Sequence, residues 1–240
     1  MKQKTILLLI LATFFVHATK AQDTAMFFAK ADHFFKTYVK QGKVDYSAIK
    51  EQPKALDELM ALANAIAVKK ADARSYQAFW INTYNLAVIK GIVANYPIKS
   101  PLDKTGFFDK IKYDVGGQSI TLNDIENKLL RGNFPKESRF HFVLVCAGLG
   151  CPPIIANAYL PDTLDAQLQK QTELSLNNPN FIQTKGKKVL ISQLFDWYKS
   201  DFTQDGLNEV EYINQFRTEK LDPKSKIGYY NYNWSLNETK

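Results

Sequence analysis

The chain has 240 residues, 45% of them apolar, with 16 Phe, 12 Tyr and 3 Trp, which is enough to fill a sizeable core in one domain. Its formal net charge is +7, but no dense basic run accompanies it, which excludes the usual electrostatic footprint of a nucleic-acid-binding protein. Beyond the N-terminus no apolar run is long enough to cross a bilayer, so no integral membrane segment is expected there.

Residues 1–21 read as a signal peptide. Met1-Lys2-Gln3-Lys4 is a basic start, Ile6 to Val16 is apolar, and Ala18-Thr19-Lys20-Ala21 supplies small residues for cleavage. No cysteine lies near that point to carry a lipid anchor. An exported protein, periplasmic or secreted, is the expectation. Lys2, Lys4 and Lys20 leave with the signal and no acid does, so 28 bases face 24 acids and the net charge falls to +4. Residues 22–240 show no internal repeat or Pro/Ser-rich linker and read as a single domain.

Phe27, Phe28, Ala31, Phe34, Phe35 and Tyr38 recur at helical spacing, predicting an amphipathic helix closed by Gly42. His33 points away from that stripe and reads as a solvated histidine. Val44-Asp45-Tyr46 reads as a short extended piece. Pro53 opens a second helix with Leu56, Leu59, Met60, Ala63 and Ile66 on its buried face. Asp72 is placed to cap a third, which runs to about Tyr96, where Pro97 stops it. That third helix is apolar nearly all round and therefore buried. Asn82 and Asn85 share one of its faces, and buried amides need partners. Either they tie down a neighbouring loop or they line a cleft.

Gly116-Gly117, between Ile111–Val115 and Gln118–Ile120, predicts a hairpin with a primed turn. Thr121 and Asp124 resemble a capping box for a helix over Leu122–Arg131, with Gly132 at its end. Arg139 to Val145 reads as a buried strand, breaking into a glycine-bearing turn flanked by the only two cysteines, Cys146 and Cys151. Glu126, Arg131 and His141 can then form a polar cluster. A helix follows from Asp162 or Thr163 to about Asn177, then a hairpin of Phe181–Gln183 with Val189–Ile191. One helix starts at Ser192, another carries Val210, Ile213 and Phe216, and the aromatic tail Ile227–Leu236 reads as a strand docking back on the body. The fold class expected is α+β, a mainly helical single domain with a small, mostly antiparallel sheet built from hairpins.

Phe79-Trp80-Ile81-Asn82-x-Tyr84-Asn85, Leu122-x-x-Ile125-Glu126, His141-Phe142-x-Leu144-x-Cys146, Cys151-Pro152-Pro153, Phe195-x-Trp197-Tyr198-x-x-Asp201-Phe202 and Trp234-Ser235-Leu236-Asn237 follow one another in this order. Together they resemble the domain-of-unknown-function family numbered 547, over roughly residues 45–237. The resemblance brings no reaction or ligand. It implies an Asp where Asn233 stands.

Two function classes fit these residues. A binding or structural module would carry a disulfide between Cys146 and Cys151, as an even cysteine count in an exported protein favours, with Asn82, Asn85, Glu126, Arg131 and His141 as binding candidates. Its partner would be a small molecule, a glycan or a protein. The alternative is a thiol-dependent hydrolase or acyltransferase using Cys146 or Cys151 with His141. On a strand, however, His141 and Cys146 point to opposite faces about 16 Å apart. Two cysteines and one well-placed histidine are too few for a closed zinc site, and no metal or cofactor is expected.

Overall fold

The computed structural model describes residues 22–239; the segment 1–21, read as an export signal, lies outside them. Helix α1 covers 22–38 and buries Phe27, Ala31, Phe34 and Phe35. It ends before Gly42, because the chain turns back as a two-residue ladder, β1 (Val39–Lys40) against β2 (Lys43–Val44). Gln41 and Gly42 both have positive φ at its tip. Only Val44 of the expected extended piece is extended. Asp45 accepts a hydrogen bond from Ala48 N–H and starts a six-residue helix, α2 (Tyr46–Glu51), too short to show a period.

Helix α3 (Lys54–Ala65) and helix α4 (Ala73–Asn95) follow as read, the latter capped by Asp72, whose carboxylate accepts from Ser75 N–H at 3.3 Å. Sixteen of the 23 residues of α4 are buried, so it is the spine on which the other elements pack. Strands β3 (Lys112–Val115) and β4 (Gln118–Thr121) pair in the expected hairpin, with Gly116 and Gly117 both at positive φ, as a primed turn demands. Thr121 Oγ1 caps α5 (Leu122–Asp124), which runs on through Ile125–Arg131 as a π-helical stretch carrying Glu126.

The segment expected as a buried strand is not one. Ser138–Phe142 forms a 3₁₀ turn and Val143–Val145 is irregular. A short apolar run does not distinguish the two states by its pattern. Here Phe140 enters one apolar cluster with α4 while Phe142 enters a second with Phe181, Phe195 and Phe202. The turn therefore anchors the seam between two parts of the core, and burying each phenyl ring contributes about 2–3 kcal/mol.

Helix α6 (Leu164–Leu176) precedes the antiparallel strands β5 (Ile182–Lys185) and β6 (Lys188–Ser192). The single helix expected after Ser192 is instead two short turns, α7 (Leu194–Trp197) and α8 (Lys199–Phe202), broken at Tyr198. Helix α9 (Glu209–Phe216) carries a capping box of Asn208 and Glu211. The tail docks as expected: β7 (Lys226–Tyr230) joins β6, in parallel. The result is the α+β class read from the sequence, mainly helical with small sheets. No described helix is long and apolar enough to cross a membrane.

Candidate functional site

A cavity of about 290 Å³ opens where the two apolar clusters meet. Tyr84 of α4 and Asn123 and Glu126 of the α5 stretch form one wall. Trp197 and Tyr198, at the break between α7 and α8, form another, with Tyr232 and Trp234 of the tail beside them. His141, Cys146 and Cys151 close the third side. The interrupted helix has a local reason. Phe195 and Phe202 are both buried in the second cluster, and the turn between them at Tyr198 leaves Trp197 47% exposed at the cavity mouth.

Two charged groups stand behind His141. Arg131 Nε donates to Asp201 Oδ2 at 2.7 Å and Nη2 to Oδ1 at 3.0 Å, a bidentate pair, and the guanidinium lies 4.6 Å over the Tyr198 ring. His141 Nε2 is 2.8 Å from the same Asp201 Oδ2. Burial works to raise the pKa of Asp201, but the hydrogen bonds from His141 and Arg131, with their charges, override it and hold the carboxyl well below the usual range. An ionised carboxylate only accepts, so His141 Nε2 carries a hydrogen, and in the neutral ring Nδ1 is then the acceptor. The expected cluster of Glu126, Arg131 and His141 is thus met in a particular form. Asp201 joins Arg131 to His141, while Glu126 shares the cavity with His141 and has no ion-pair partner among the described residues.

Glu126 meets hydroxyls instead. Tyr84 Oη donates to its Oε2 at 3.4 Å, and Tyr198 also hydrogen-bonds it. Tyr84, Tyr198 and Tyr232 are all pushed above the ordinary phenol pKa, first by burial and then in part by the charge on Glu126.

Cys146 and Cys151 are joined as a disulfide, with Cα atoms 6.3 Å apart. Cys146 N–H points to Cys151 Sγ at 2.9 Å, and Tyr232 Oη lies 2.9 Å from Cys151 Sγ and 3.1 Å from Cys146 Sγ. Disulfide sulfurs carry no hydrogen, so the hydroxyl donates. The left-handed residue of this turn is Ala147, at φ 62°, and neither glycine of the turn has positive φ. Gly148 and Gly150 provide room instead, since a Cβ on Gly150 would sit 2.8 Å from Asn233 N. The tail runs against them: Gly150 N–H donates to Asn233 O at 2.7 Å, Leu149 N–H to Ser235 O at 2.8 Å and Asn237 N–H to Ala147 O at 2.9 Å. Asn233 Oδ1 accepts from Ser235 N–H at 3.0 Å, a bond that an Asp at this position would also accept.

Because 138–145 is not a strand, the parity that set His141 against Cys146 does not apply, and both line one cavity. Asn82 and Asn85 lie outside that lining. Asn82 Nδ2 donates to Ala78 O at 2.8 Å and Tyr159 O at 2.7 Å, and its Oδ1 accepts from Tyr159 N–H at 2.9 Å. Asn85 holds Val143 O at 3.0 Å and Val145 N–H at 2.9 Å. Asp201, Trp197, Tyr232 and Trp234 carry the site without having been singled out as site residues. The signal available for Asp201 was its place between Tyr198 and Phe202, a carboxylate in an aromatic helix turn.

Residues 68–174 match the family described as Protein of unknown function, DUF547. The resemblance read from the motifs holds over this narrower stretch, from just before α4 into α6. Phe195–Phe202 and Trp234–Asn237 lie outside it, so the wall formed by Trp197, Tyr198, Tyr232 and Trp234 does too. No curated protein and no solved structure matches the chain.

Proposed function

We propose that the chain is an exported binding module whose cavity takes a small ligand between the aromatic walls and Glu126. One observation carries this reading. The cavity at the seam is walled by aromatic faces and holds few polar groups, the usual make-up of a ligand site. The disulfide and the tail bonded to it fix one wall, which lowers the ordering cost of binding. Export rests on the basic, apolar and small-residue order of residues 1–21. The test is a fluorescence titration of the purified exported protein against a panel of small cations, neutral polyols and aromatic compounds, using Trp197 and Trp234 as reporters. Saturable quenching by some member, lost in Trp234→Ala, supports the reading. A flat response across the panel overturns it.

A second reading is favoured by one fact: Cys146 and Cys151 line the same cavity as His141, whose Nε2 is held by Asp201. In a reduced protein that arrangement would suit a thiol-dependent hydrolase or acyltransferase. A thiol count on protein purified from the exported compartment without reductant separates the two. Two titratable thiols, one much faster than a model thiol, would favour the enzyme; none favours the module.

A further inference from the structure

Resting on the binding-module reading, we propose that the ligand is a small organic cation, an alkylated or quaternary ammonium, held by Glu126 and the Trp197, Tyr232 and Trp234 rings. Three observations point the same way.

The first is charge. Arg131 and Asp201 cancel as a bidentate pair outside the cavity lining, whereas Glu126, half-buried in that lining, has no ion-pair partner among the described residues and meets Arg131 only through space. No lysine or arginine lines the cavity. The net fixed charge facing a ligand is therefore set by Glu126. Its field is registered by its neighbours, since it is among the causes that raise the pKa values of Tyr84, Tyr198 and Tyr232. An anionic ligand would meet repulsion there, in a site where partial desolvation strengthens every Coulomb interaction.

The second is ring geometry. Trp197 lies 5.0 Å from Tyr232 and 6.0 Å from Trp234, and Tyr232 lies 4.8 Å from Trp234. Three π-systems thus gather at one side of the cavity, and two are indoles, the strongest cation–π partners. Tyr198 already has a cation and a ring against it. Arg131 sits 4.6 Å above its ring and the His141 ring packs against it, tilted, at 4.2 Å, while its hydroxyl bonds Glu126. The chain's own Arg131–Tyr198 contact is the same chemistry, a cation on an aromatic ring at this seam.

The third is size and polarity. A cavity of about 290 Å³ suits a headgroup with a short substituent and not an extended glycan. Its polar lining is Asn123, Glu126, His141 and three tyrosine hydroxyls that are already bonded to Glu126 or to the disulfide, too few free groups to match the hydroxyls of a sugar.

Choline, its uncharged carbon isostere 3,3-dimethyl-1-butanol, and glucose are the probes, titrated by tryptophan fluorescence and calorimetry into the oxidised full-length exported protein. Choline should bind about tenfold or more tightly than the isostere, the difference being the charge on one atom. Glu126→Gln should remove most of that preference while leaving the isostere unchanged. Trp197→Ala, a mouth residue whose loss leaves the core intact, should weaken choline several-fold. If glucose or the isostere binds and choline does not, or if choline binding is equal in Glu126→Gln, the cation class is wrong and the binding cavity stands. If none of the three binds, the cation class is wrong, and the binding-module reading falls with it only when the wider panel is flat as well.

Discussion

Asn85 and Asp201 hold the same segment by different physics. Asn85, on α4, grips the backbone at Val143 and Val145 with one amide that is almost fully buried. Asp201, on α8, grips the side chain of His141 and is neutralised by Arg131. The amide supplies one donor and one acceptor to alternate residues, which is what a neighbouring strand would do, and its grip does not change with pH. The carboxylate supplies charge, and its grip does. So the segment behind the cavity is fixed in position by a neutral contact and given its electrostatic character by an ionic one.

The largest effect is expected from breaking the neutral grip. Asn85→Leu leaves Val143 O and Val145 N–H buried without partners, and each such group costs about 1–3 kcal/mol, so a total near 3 kcal/mol is expected. Chemical denaturation should show the midpoint falling with little change in slope. An unchanged midpoint would mean the segment finds other partners and the amide is idle.

Breaking the ionic grip should cost somewhat less at neutral pH, about 2–3 kcal/mol for Asp201→Asn, because Arg131 and Asp201 keep part of their solvent contact. Its signature is the pH dependence. Asp201 is held below its unfolded range, so its contribution is fully present above about pH 4 and is lost as pH falls through the lower native value. The D201N protein should therefore lose stability less steeply on acidification than the wild type. The Asn85→Leu protein should keep the wild-type acid limb, displaced downward. Parallel limbs in both would erase the distinction between the two contacts.

The two contacts were unequally legible in the sequence. Asn82 and Asn85 stand out because they are polar on a helix that is otherwise apolar all round. The helix itself, its Asp72 cap and the Gly116-Gly117 hairpin follow from local rules. What they hold could not be read locally. Phe140-His141-Phe142 has the composition of a strand, but it serves as a bridge between two apolar clusters separated widely in sequence. Nothing in a run of six residues records that. Asp201 was visible only as one letter of an aromatic motif, since its partners, Arg131 and His141, lie 70 and 60 residues away. The cysteine pairing was legible because it is local, while the role of the glycines beside it was not. Their φ angles are ordinary, and the requirement comes from the tail, which passes against Gly150 more than 80 residues later.

That local closure predicts a smaller and symmetric effect. Cys146→Ser and Cys151→Ser each remove the same bridge over a six-residue segment, so each should cost about 2 kcal/mol by loop-closure entropy. The two thermal shifts should agree. A serine at one position that is tolerated while the other is not would identify one sulfur as having a separate role, which is what the thiol-enzyme reading requires.

Glu126→Gln should have the smallest effect on stability and so gives the sharpest contrast with Asp201. Both are carboxylates within reach of the same cavity and of Tyr198. Asp201 is tied by a bidentate guanidinium and an imidazole; Glu126 hydrogen-bonds only hydroxyls, Tyr84 at the long distance of 3.4 Å, and meets the Arg131 charge through space without an ion pair among the described residues. An amide of the same shape still accepts from those hydroxyls, so the change should stay within about 0.5 kcal/mol. Thermal unfolding of the two variants side by side checks this. If Glu126→Gln destabilises as much as Asp201→Asn, Glu126 is part of the scaffold. If its stability is unchanged while affinity for an ammonium ligand drops, the carboxylate is kept for what enters the cavity and not for what surrounds it.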